Sequence, residues 1–411
     1  MLRVNIYFST ARGTGVAVPP VLAALLAAPL AGDRPAVGGT GTATAAAQPP
    51  SSPLPPPPPP PPPPSPPPSP PPSPPPLSFL DGDAAGTTVL NVFDDKAYNR
   101  TNVSLASGDL RALAAAATGL VGAVTPRLSL VDHVGTHPRV GVVDHVSVQP
   151  VGGSRGVPPF TSGAGSASTS ATLVAHDGPA GMAAARRLAV TIGRTLGADL
   201  GLYVLLYGVT PSGVSGDGSG DSSASPTRSL AALRRSVGYF TPTHPGGGSW
   251  GAAPVWAGPL PPPPYGGAFP AADFGPPVVN PAVGIVVVGA SPPVRNVNVV
   301  LSAAATAARK PPEGQSFNDG GGAPLLLAAA KALASAVRGT GRSATAMAGV
   351  EAMGLAVAGG RAEVACNVTA DADAAALVAS LTRLAPTHGV VVSHAYDPGE
   401  GGRLVEAEAP R

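Results

Sequence analysis

Short runs in which apolar and polar residues alternate recur along the chain, and they predict β-strands. The runs are rich in Val, Leu and Ile and are bounded by Gly, Pro, Asn or Asp, which is typical of strands with one buried face. The predicted strands cover residues 3–8, 87–92, 102–106, 140–148, 201–207, 284–288, 294–301, 353–357, 363–368 and 389–396. Strand-forming sequence therefore occurs near both ends of the chain.

Between several of these strands, apolar residues repeat with the 3.6-residue period of amphipathic helices. The predicted helices cover residues 109–121, 180–196, 325–337 and 372–384. We expect Ser107 to cap the first helix, and Thr369 and Asp371 to cap the last one. The final part of the chain reads as strand, helix, strand, which favours a two-layer α/β or α+β sandwich.

A proline run broken by single serines occupies residues 49–76, inside a longer insert predicted at 32–86. Proline has no backbone donor and favours polyproline II, so this run is expected to be disordered and to pack no core. Clusters of Gly, Ser and Pro predict surface loops at 152–170, 211–226, 243–264 and 310–323. With 53 Gly and 54 Pro in 411 residues, the compact part is expected to be smaller than the length suggests.

The first thirty residues allow two interpretations. Arg3 and Arg12 precede an apolar run at 16–32, which resembles the core of a secretory signal. Three prolines interrupt that run, which favours instead a first strand and helix of the folded domain. The run is too short to span a bilayer, so no membrane partner is expected.

Charge and cysteine content narrow the classes of function. A formal net charge of +2 with 12% charged residues provides no dense basic stripe, which argues against a nucleic-acid partner. Cys366 is the only cysteine, so an internal disulfide and a cysteine zinc site are excluded. Its apolar neighbours predict a buried, inert thiol.

Three of the seven histidines, His133, His137 and His145, lie within thirteen residues. Pro138 favours extended geometry at His137, so the helical spacing from His133 does not place the two imidazoles on one face. No metal site is therefore expected. An imidazole with an ordinary pKa near 6.5 suits general acid/base work, although a lone histidine is more often structural.

The segment GTHPRVGVVD at residues 135–144 resembles a signature stretch of the formiminotransferase domain family. The shared positions are Gly135, His137, Pro138, Arg139, Gly141 and Asp144. Upstream, AYNRT at residues 97–101 carries Asn99 and Arg100 and is similar to the form of the family found in plants and algae. The interval between the two segments also agrees with the family.

The resemblance covers about residues 87–396. Further similar stretches are LYVLLYG at 202–208, SLAALRRSVGYF at 229–240, ADFGPP at 272–277, RNVNVVL at 295–301, VEAMGLAV at 350–357 and AEVACNV at 362–368. Thr10 and Phe93 depart from the family, because each stands where the family carries an acidic residue. No segment resembles the cyclodeaminase domain that follows in bifunctional animal proteins.

The resemblance implies an α+β fold with two ferredoxin-like two-layer α/β sandwich subdomains, whose sheets line a shared folate-binding cleft. Residues 1–31 then supply the first strand and helix of the N-terminal subdomain, or a signal peptide in the other interpretation. The expected divisions after them are the insert at 32–86, the N-terminal formiminotransferase subdomain at 87–277, the C-terminal subdomain at 278–400 and a tail at 401–411.

The resemblance also implies an activity. The family moves a formimino group from formiminoglutamate to tetrahydrofolate, which acts as co-substrate, and the family suggests a cytoplasmic homodimer. The N5 amine attacks the amidine carbon and glutamate is expelled, so protons must be shuttled. By resemblance His137 is the acid/base, acting through a pKa near neutrality.

The same resemblance suggests substrate contacts. Arg100 and Arg139 could clamp carboxylates with their planar guanidinium forks, or could form structural salt bridges. Asp144 could orient the imidazole or a nearby donor, or simply satisfy a turn. Three asparagines could hydrogen-bond the pterin edge or glutamate, or satisfy the sheet; they are Asn99, Asn296 and Asn298.

Two other functions stay open from the sequence. Thr10 and Phe93 allow a folate-binding paralogue without catalysis, which would bind folate but not turn it over. The proline-serine run and the apolar N-terminus allow a secreted hydroxyproline-rich structural glycoprotein, which would carry hydroxyproline in native material.

Overall fold

The structure is a computed structural model in which part of the chain is described. The described residues are 1–9, 86–95, 98–151, 179–209, 228–245, 254–264, 267–304, 323–339, 343–357, 361–369, 371–398 and 403–405. The predicted proline run at 49–76, the predicted helix before residue 31, and the predicted loops at 152–170 and 211–226 lie outside these ranges.

The described residues form both strands and helices, which confirms the predicted mixed α+β content. The strands are β1 (Leu2–Ser9), β2 (Thr88–Asp95), β3 (Arg100–Ser107), β4 (Val134–Gly135), β5 (Val143–Pro150), β6 (Tyr203–Tyr207), β7 (Trp256–Ala257), β8 (Ile285–Ala290), β9 (Val294–Ala303), β10 (Val350–Val357), β11 (Arg361–Thr369), β12 (Val390–Asp397) and β13 (Arg403–Leu404). The helices are α1 (Leu110–Val124), α2 (Pro179–Ala198), α3 (Leu230–Ser236), α4 (Ala323–Val337) and α5 (Ala374–Leu384).

The first sheet, sheet 1, has the strand order β2-β3-β1-β5-β8-β6. Its strands pair antiparallel except at the β5-β8 and β8-β6 pairs, which are parallel. Strand β1 is central, and its alternate residues Val4, Ile6 and Phe8 are fully buried in the hydrophobic core with α1 and α2. A cleavage that removed this N-terminal strand would therefore take away a central element of the sheet.

The second sheet, sheet 2, has the order β10-β11-β9-β12-β13 with antiparallel pairing throughout. Along the chain its elements follow as β9, α4, β10, β11, α5 and β12. Both helices pack on one face of the sheet, where they bury small and branched side chains such as Val299, Ala330, Leu333 and Leu377. The core of this part is thin because alanine supplies much of it.

The faces of the two sheets that carry no helices meet through polar side chains. Arg3 donates from its guanidinium to the carbonyl oxygen of Val294 at 3.4 Å. The Tyr7 hydroxyl donates to Asn296 Oδ1 at 3.4 Å. Sheet 1 thus contacts the first half of β9 directly. The polar residues of β1 and the polar residues of β9 face each other in one interface.

The helix caps differ from those predicted. Asp109 Oδ1 accepts from the backbone amides of the first turn of α1, at 2.8 and 3.3 Å, while Ser107 Oγ accepts from the Asp109 amide. Asp373, rather than Thr369 or Asp371, caps α5 by accepting from the Ala375 amide at 2.8 Å. Both corrections follow from the position of the true first turn, which a hydrophobic pattern locates only to within two residues.

Several element boundaries also differ from those predicted, and two of the differences lie near His137. The predicted strand at 140–148 begins only at Val143, because Gly141 pairs with Gly284 in an isolated bridge and its backbone packs against Ile285. The predicted loop at 243–264 contains the short strand β7.

Cys366 is buried on β11, as predicted, and burial raises the pKa of its thiol to about 12. The thiol is therefore protonated at neutral pH and a poor nucleophile. Among the residues that the structure describes, no helix is both long and apolar enough to cross a membrane.

Gly275 lies at a close approach that admits no side chain. Its φ is +99°, and a Cβ atom there would lie 1.9 Å from the carbonyl oxygen of Leu202. We expect Gly275→Ala to lower the free energy of unfolding by roughly 2–5 kcal/mol, since it combines a left-handed backbone with overpacking. Urea denaturation measures this change. Gly108→Ala is the control, because Gly108 faces open space, and equal midpoints for the two variants would contradict the expectation.

Candidate functional site

The loop that carries His137 is held between β4 and the first residues of β5. Strand β4 pairs with β7, which fixes the chain immediately before the histidine. A Cβ atom at Gly135 would lie 2.9 Å from the carbonyl oxygen of Tyr98, so the glycine lets the loop pack against the turn before β3. The shape of this short segment therefore depends on one close backbone contact.

Arg100 on β3 lies between His137 and Asp144. Its Nη1 is 2.9 Å from His137 Nε2 and 3.0 Å from Nδ1, and its Nη2 donates to Asp144 Oδ2 at 2.8 Å. His137 Nδ1 is 2.7 Å from the carbonyl oxygen of Pro138. We assign the proton to Nδ1, which donates to that carbonyl, so that Nε2 accepts from Arg100.

Asp144 holds Arg100 in place next to His137. Its side chain is fully buried, and its second oxygen, Oδ1, accepts from the backbone amide of Val140 at 2.8 Å. The carboxylate therefore joins the arginine to the backbone of the histidine loop. The two oxygens serve both predicted roles, because Oδ2 accepts from a nearby donor, Arg100, and Oδ1 accepts from a backbone amide of the turn before β5.

The protonation state of His137 differs from the one that the sequence predicts. Burial, and then the adjacent Arg100 charge, lower the pKa of His137 well below its usual 6.5. The expectation of a near-neutral pKa was wrong for this arrangement, because the imidazole is buried and, in addition, a cation lies within hydrogen-bonding distance of it. At neutral pH the ring is neutral and its Nε2 is an acceptor.

Arg139 lies in the scaffold of the loop. Its side chain is buried, its Nε donates to His133 Nδ1 at 2.8 Å, and its Nη2 donates to the carbonyl oxygen of Gly258. Burial lowers its pKa to about 10 and lowers the pKa of His133 to about 3. These partners are an imidazole and a backbone carbonyl, so the contacts described for Arg139 are structural but are neither the predicted salt bridge nor a carboxylate clamp.

Asn99 shapes the turn between β2 and β3. It has a φ of 55°, in the left-handed region that asparagine tolerates better than most residues. Its Nδ2 donates to the carbonyl oxygen of Val134 at 3.0 Å, which ties the turn to β4. Asn99 thus sets the direction in which its neighbours Tyr98 and Arg100 leave the backbone.

Asn296 and Asn298 lie on the face of β9 that meets sheet 1. Asn296 Nδ2 donates to Asn367 Oδ1 at 2.7 Å. Asn298 Nδ2 donates to Glu363 Oε2 at 3.2 Å and to the Tyr396 hydroxyl at 3.1 Å. Both amides are on the side of the sheet that faces Arg100 and His137, but in this structure they bond to protein partners.

Sequence reasoning missed Tyr98 and Glu363, which contact each other at this interface. The Tyr98 hydroxyl donates to Glu363 Oε2 at 2.6 Å, and both side chains are buried. One signal was present in the sequence, since Arg361, Glu363 and Asn367 mark a polar face on an otherwise apolar strand. That pattern predicts a face, but it does not tell a solvated face from a buried one.

A cavity of about 560 Å³ lies between the histidine loop and the edge of sheet 2. Its lining includes Thr136 and Pro138, on either side of His137, together with Lys331 on α4 and Met353 on β10. The remaining lining is mostly apolar and includes Phe240, Trp256, Leu327 and Leu355. In the part of the chain that the structure describes, no group of three or more His, Cys, Asp or Glu side chains is placed to hold a metal ion.

The segment that carries most of this site matches a known family. Residues 81–159 match the family model of the formiminotransferase domain, N-terminal subdomain. Over this segment the chain is similar to the formiminotransferase family. The resemblance seen in the motifs is thereby confirmed for the region containing Asn99, Arg100, His137 and Asp144. The match points to a folate-related transferase. The comparison with curated proteins found no match.

Proposed function

We propose that the chain is a folate-dependent transferase that moves a formimino or formyl group between glutamate and tetrahydrofolate N5. The observation that carries this proposal is the array of His137, Arg100 and Asp144 within the segment that matches the formiminotransferase family. It places an imidazole acceptor beside a fixed cation, which suits proton transfer next to an anionic substrate.

Buried donors near the array support a fit to a carboxylate-bearing substrate. Arg100 Nε and Ser9 Oγ are buried and have no hydrogen-bond partner among the described residues. The two residues are directly opposite each other on β3 and β1, in the Cα register of sheet 1. Donors of this kind suit the carboxylate of glutamate, and the neighbouring apolar cavity suits an aromatic ring system.

When bound, tetrahydrofolate supplies the N5 amine that forms the new bond to the transferred carbon as the bond from that carbon to the glutamate nitrogen breaks. His137 Nε2 accepts the N5 proton and returns a proton to the glutamate nitrogen. A substrate carboxylate on Arg100 would draw its charge away from the imidazole and raise the pKa of His137. The substrate would thus make the histidine a stronger base.

The strand order supports the finer fold that the resemblance implies. In sheet 2, β10-β11-β9-β12 with α4 and α5 in the connections is the order of a ferredoxin-like unit, and β2-β3-β1-β5 has the same order in sheet 1. We therefore propose two ferredoxin-like subdomains. The cytoplasmic location and the homodimer stay predictions from the resemblance.

A folate-binding paralogue without catalysis is the second candidate. Phe93 stands where the family carries an acidic residue, and its ring packs 6.3 Å from the ring of Tyr396. An aromatic pair at this position supplies no carboxylate to the site. Arg100 also donates a hydrogen bond to His137 Nε2, the atom that would have to accept a proton in catalysis.

Turnover of formiminoglutamate with tetrahydrofolate tests the two candidates. The purified chain is incubated with both, and acid conversion of the product to methenyltetrahydrofolate is followed by absorbance. We expect turnover above a control without protein. Folate binding on titration without turnover would favour the paralogue, and the absence of both would overturn the proposed function.

A further inference from the structure

Tyr98 joins the loop that carries His137 to a buried carboxylate of sheet 2. Its ring lies against Leu355 and Val357 of β10, while its hydroxyl donates to Glu363 Oε2 at 2.6 Å. The edge of the same ring meets the imidazole of His137, with centroids 5.2 Å apart and planes at 67°. One side chain therefore contacts both the candidate acid/base and Glu363.

Glu363 is held in a fixed orientation by several donors. Besides Tyr98, the Tyr396 hydroxyl lies 3.2 Å from Oε2 and 3.3 Å from Oε1, and Asn298 Nδ2 lies 3.2 Å from Oε2. These groups come from β9, β12 and the turn before β3. A carboxylate with three converging donors resists rotation, so it gives the Tyr98 hydroxyl one favoured position.

Burial and the surrounding groups bring the pKa of the Glu363 carboxyl close to neutral pH. Burial first, and then the repulsion from Asp95 on β2, raise the pKa of its carboxyl, whereas the two tyrosine hydrogen bonds and Arg361 on β11 lower it. The resulting pKa is about 7. Glu363 is thus a buried group whose charge changes in the range where enzymes work.

We propose that Glu363 is a positioning residue of the transfer reaction, which holds Tyr98 and through its ring fixes the His137 imidazole. This inference rests on the proposed function, because the array that it positions is the one assigned to the transfer. The carboxyl belongs to sheet 2, so it makes the geometry of the sheet 1 loop depend on how the two sheets are docked.

Steady-state kinetics of conservative variants test the proposal. Glu363→Gln keeps the shape but removes the ionisation, and we expect kcat to fall about tenfold while KM changes by less than about twofold. Tyr98→Phe removes only a hydroxyl, and we expect a similar fall in kcat. The kcat of the double variant should be no lower than that of either single variant. Glu351→Gln is the matched control, because Glu351 is an exposed residue of β10. Additive losses, or unchanged kcat in Glu363→Gln, would overturn the proposal.

A titration followed by NMR separates this proposal from the proposed function, because it needs no substrate. In the full chain with ring-labelled histidines, the His137 signals, identified by their loss in His137→Ala, should show an inflection near pH 7 that reports Glu363. Glu363→Gln should abolish the inflection and Glu351→Gln should keep it. An inflection without turnover would support the positioning and count against the transfer reaction. Turnover without the inflection would support the transfer reaction and overturn the positioning role of Glu363.

Discussion

Replacing His137 by alanine is expected to lower kcat about 10²–10⁴-fold, the range that general acid/base groups contribute. The variant removes the acceptor that lies 2.9 Å from Arg100 and keeps the buried pair of Arg100 with Asp144. We expect the affinity for folate to change little, because the ring is assigned to proton transfer. The measurement is the absorbance assay for methenyltetrahydrofolate, together with a folate titration.

His388→Ala is the control, because His388 is exposed on the turn after α5. It should retain full activity. If the His137→Ala variant keeps more than about a tenth of the original kcat, His137 is not the general acid/base of the reaction. Parallel losses of folate binding and turnover would instead indicate that His137 shapes the binding site.

Removing the carboxylate of Asp144 is expected to have the largest effect on stability. Asp144→Ala leaves the Arg100 guanidinium without its partner in a site where the arginine side chain is 12% exposed, and it leaves the Val140 amide without its acceptor. Breaking a buried ion pair from one side costs about 3–5 kcal/mol, and an unsatisfied amide adds to this. Urea denaturation should show a midpoint that is lower by the corresponding amount.

The matched control is Asp132→Ala, an exposed aspartate in the same segment, which should change stability by less than about 0.5 kcal/mol. A double variant, Arg100→Met with Asp144→Ala, should lose less than the sum of its single variants, since neither charge is then left alone. Additive losses would show that the two groups do not depend on each other.

Local features of this molecule could be predicted from local sequence. The predicted strands and helices overlap those observed, because apolar periodicity reports directly which side of an element is buried. The loop that carries His137 was predicted because residues 135–144 resemble a signature stretch of the formiminotransferase family, which a short segment of sequence is enough to show. The caps were misplaced by two to four residues, because several Ser, Thr and Asp side chains stood near each helix start.

Features that depend on distant residues could not be predicted. Tyr98 and Glu363 are 265 positions apart, and their contact exists only because the two sheets dock face to face. The low pKa of His137 has the same origin, since it depends first on burial and then on the placement of Arg100 at 2.9 Å. An ordinary pKa was the reasonable expectation for a residue whose surroundings the sequence does not give.

Folding changes the number of protons that the chain binds. Burial lowers the pKa values of His133, His137 and His145 from 6.5, and it raises that of Glu363 from 4.5. Just below pH 6.5 the unfolded chain therefore takes up a proton on each of the three imidazoles, whereas the native chain keeps these imidazoles neutral and holds a proton on the Glu363 carboxyl. Because the unfolded state binds more protons in this window, stability rises with pH there, and each step of acidification draws the molecule toward unfolding.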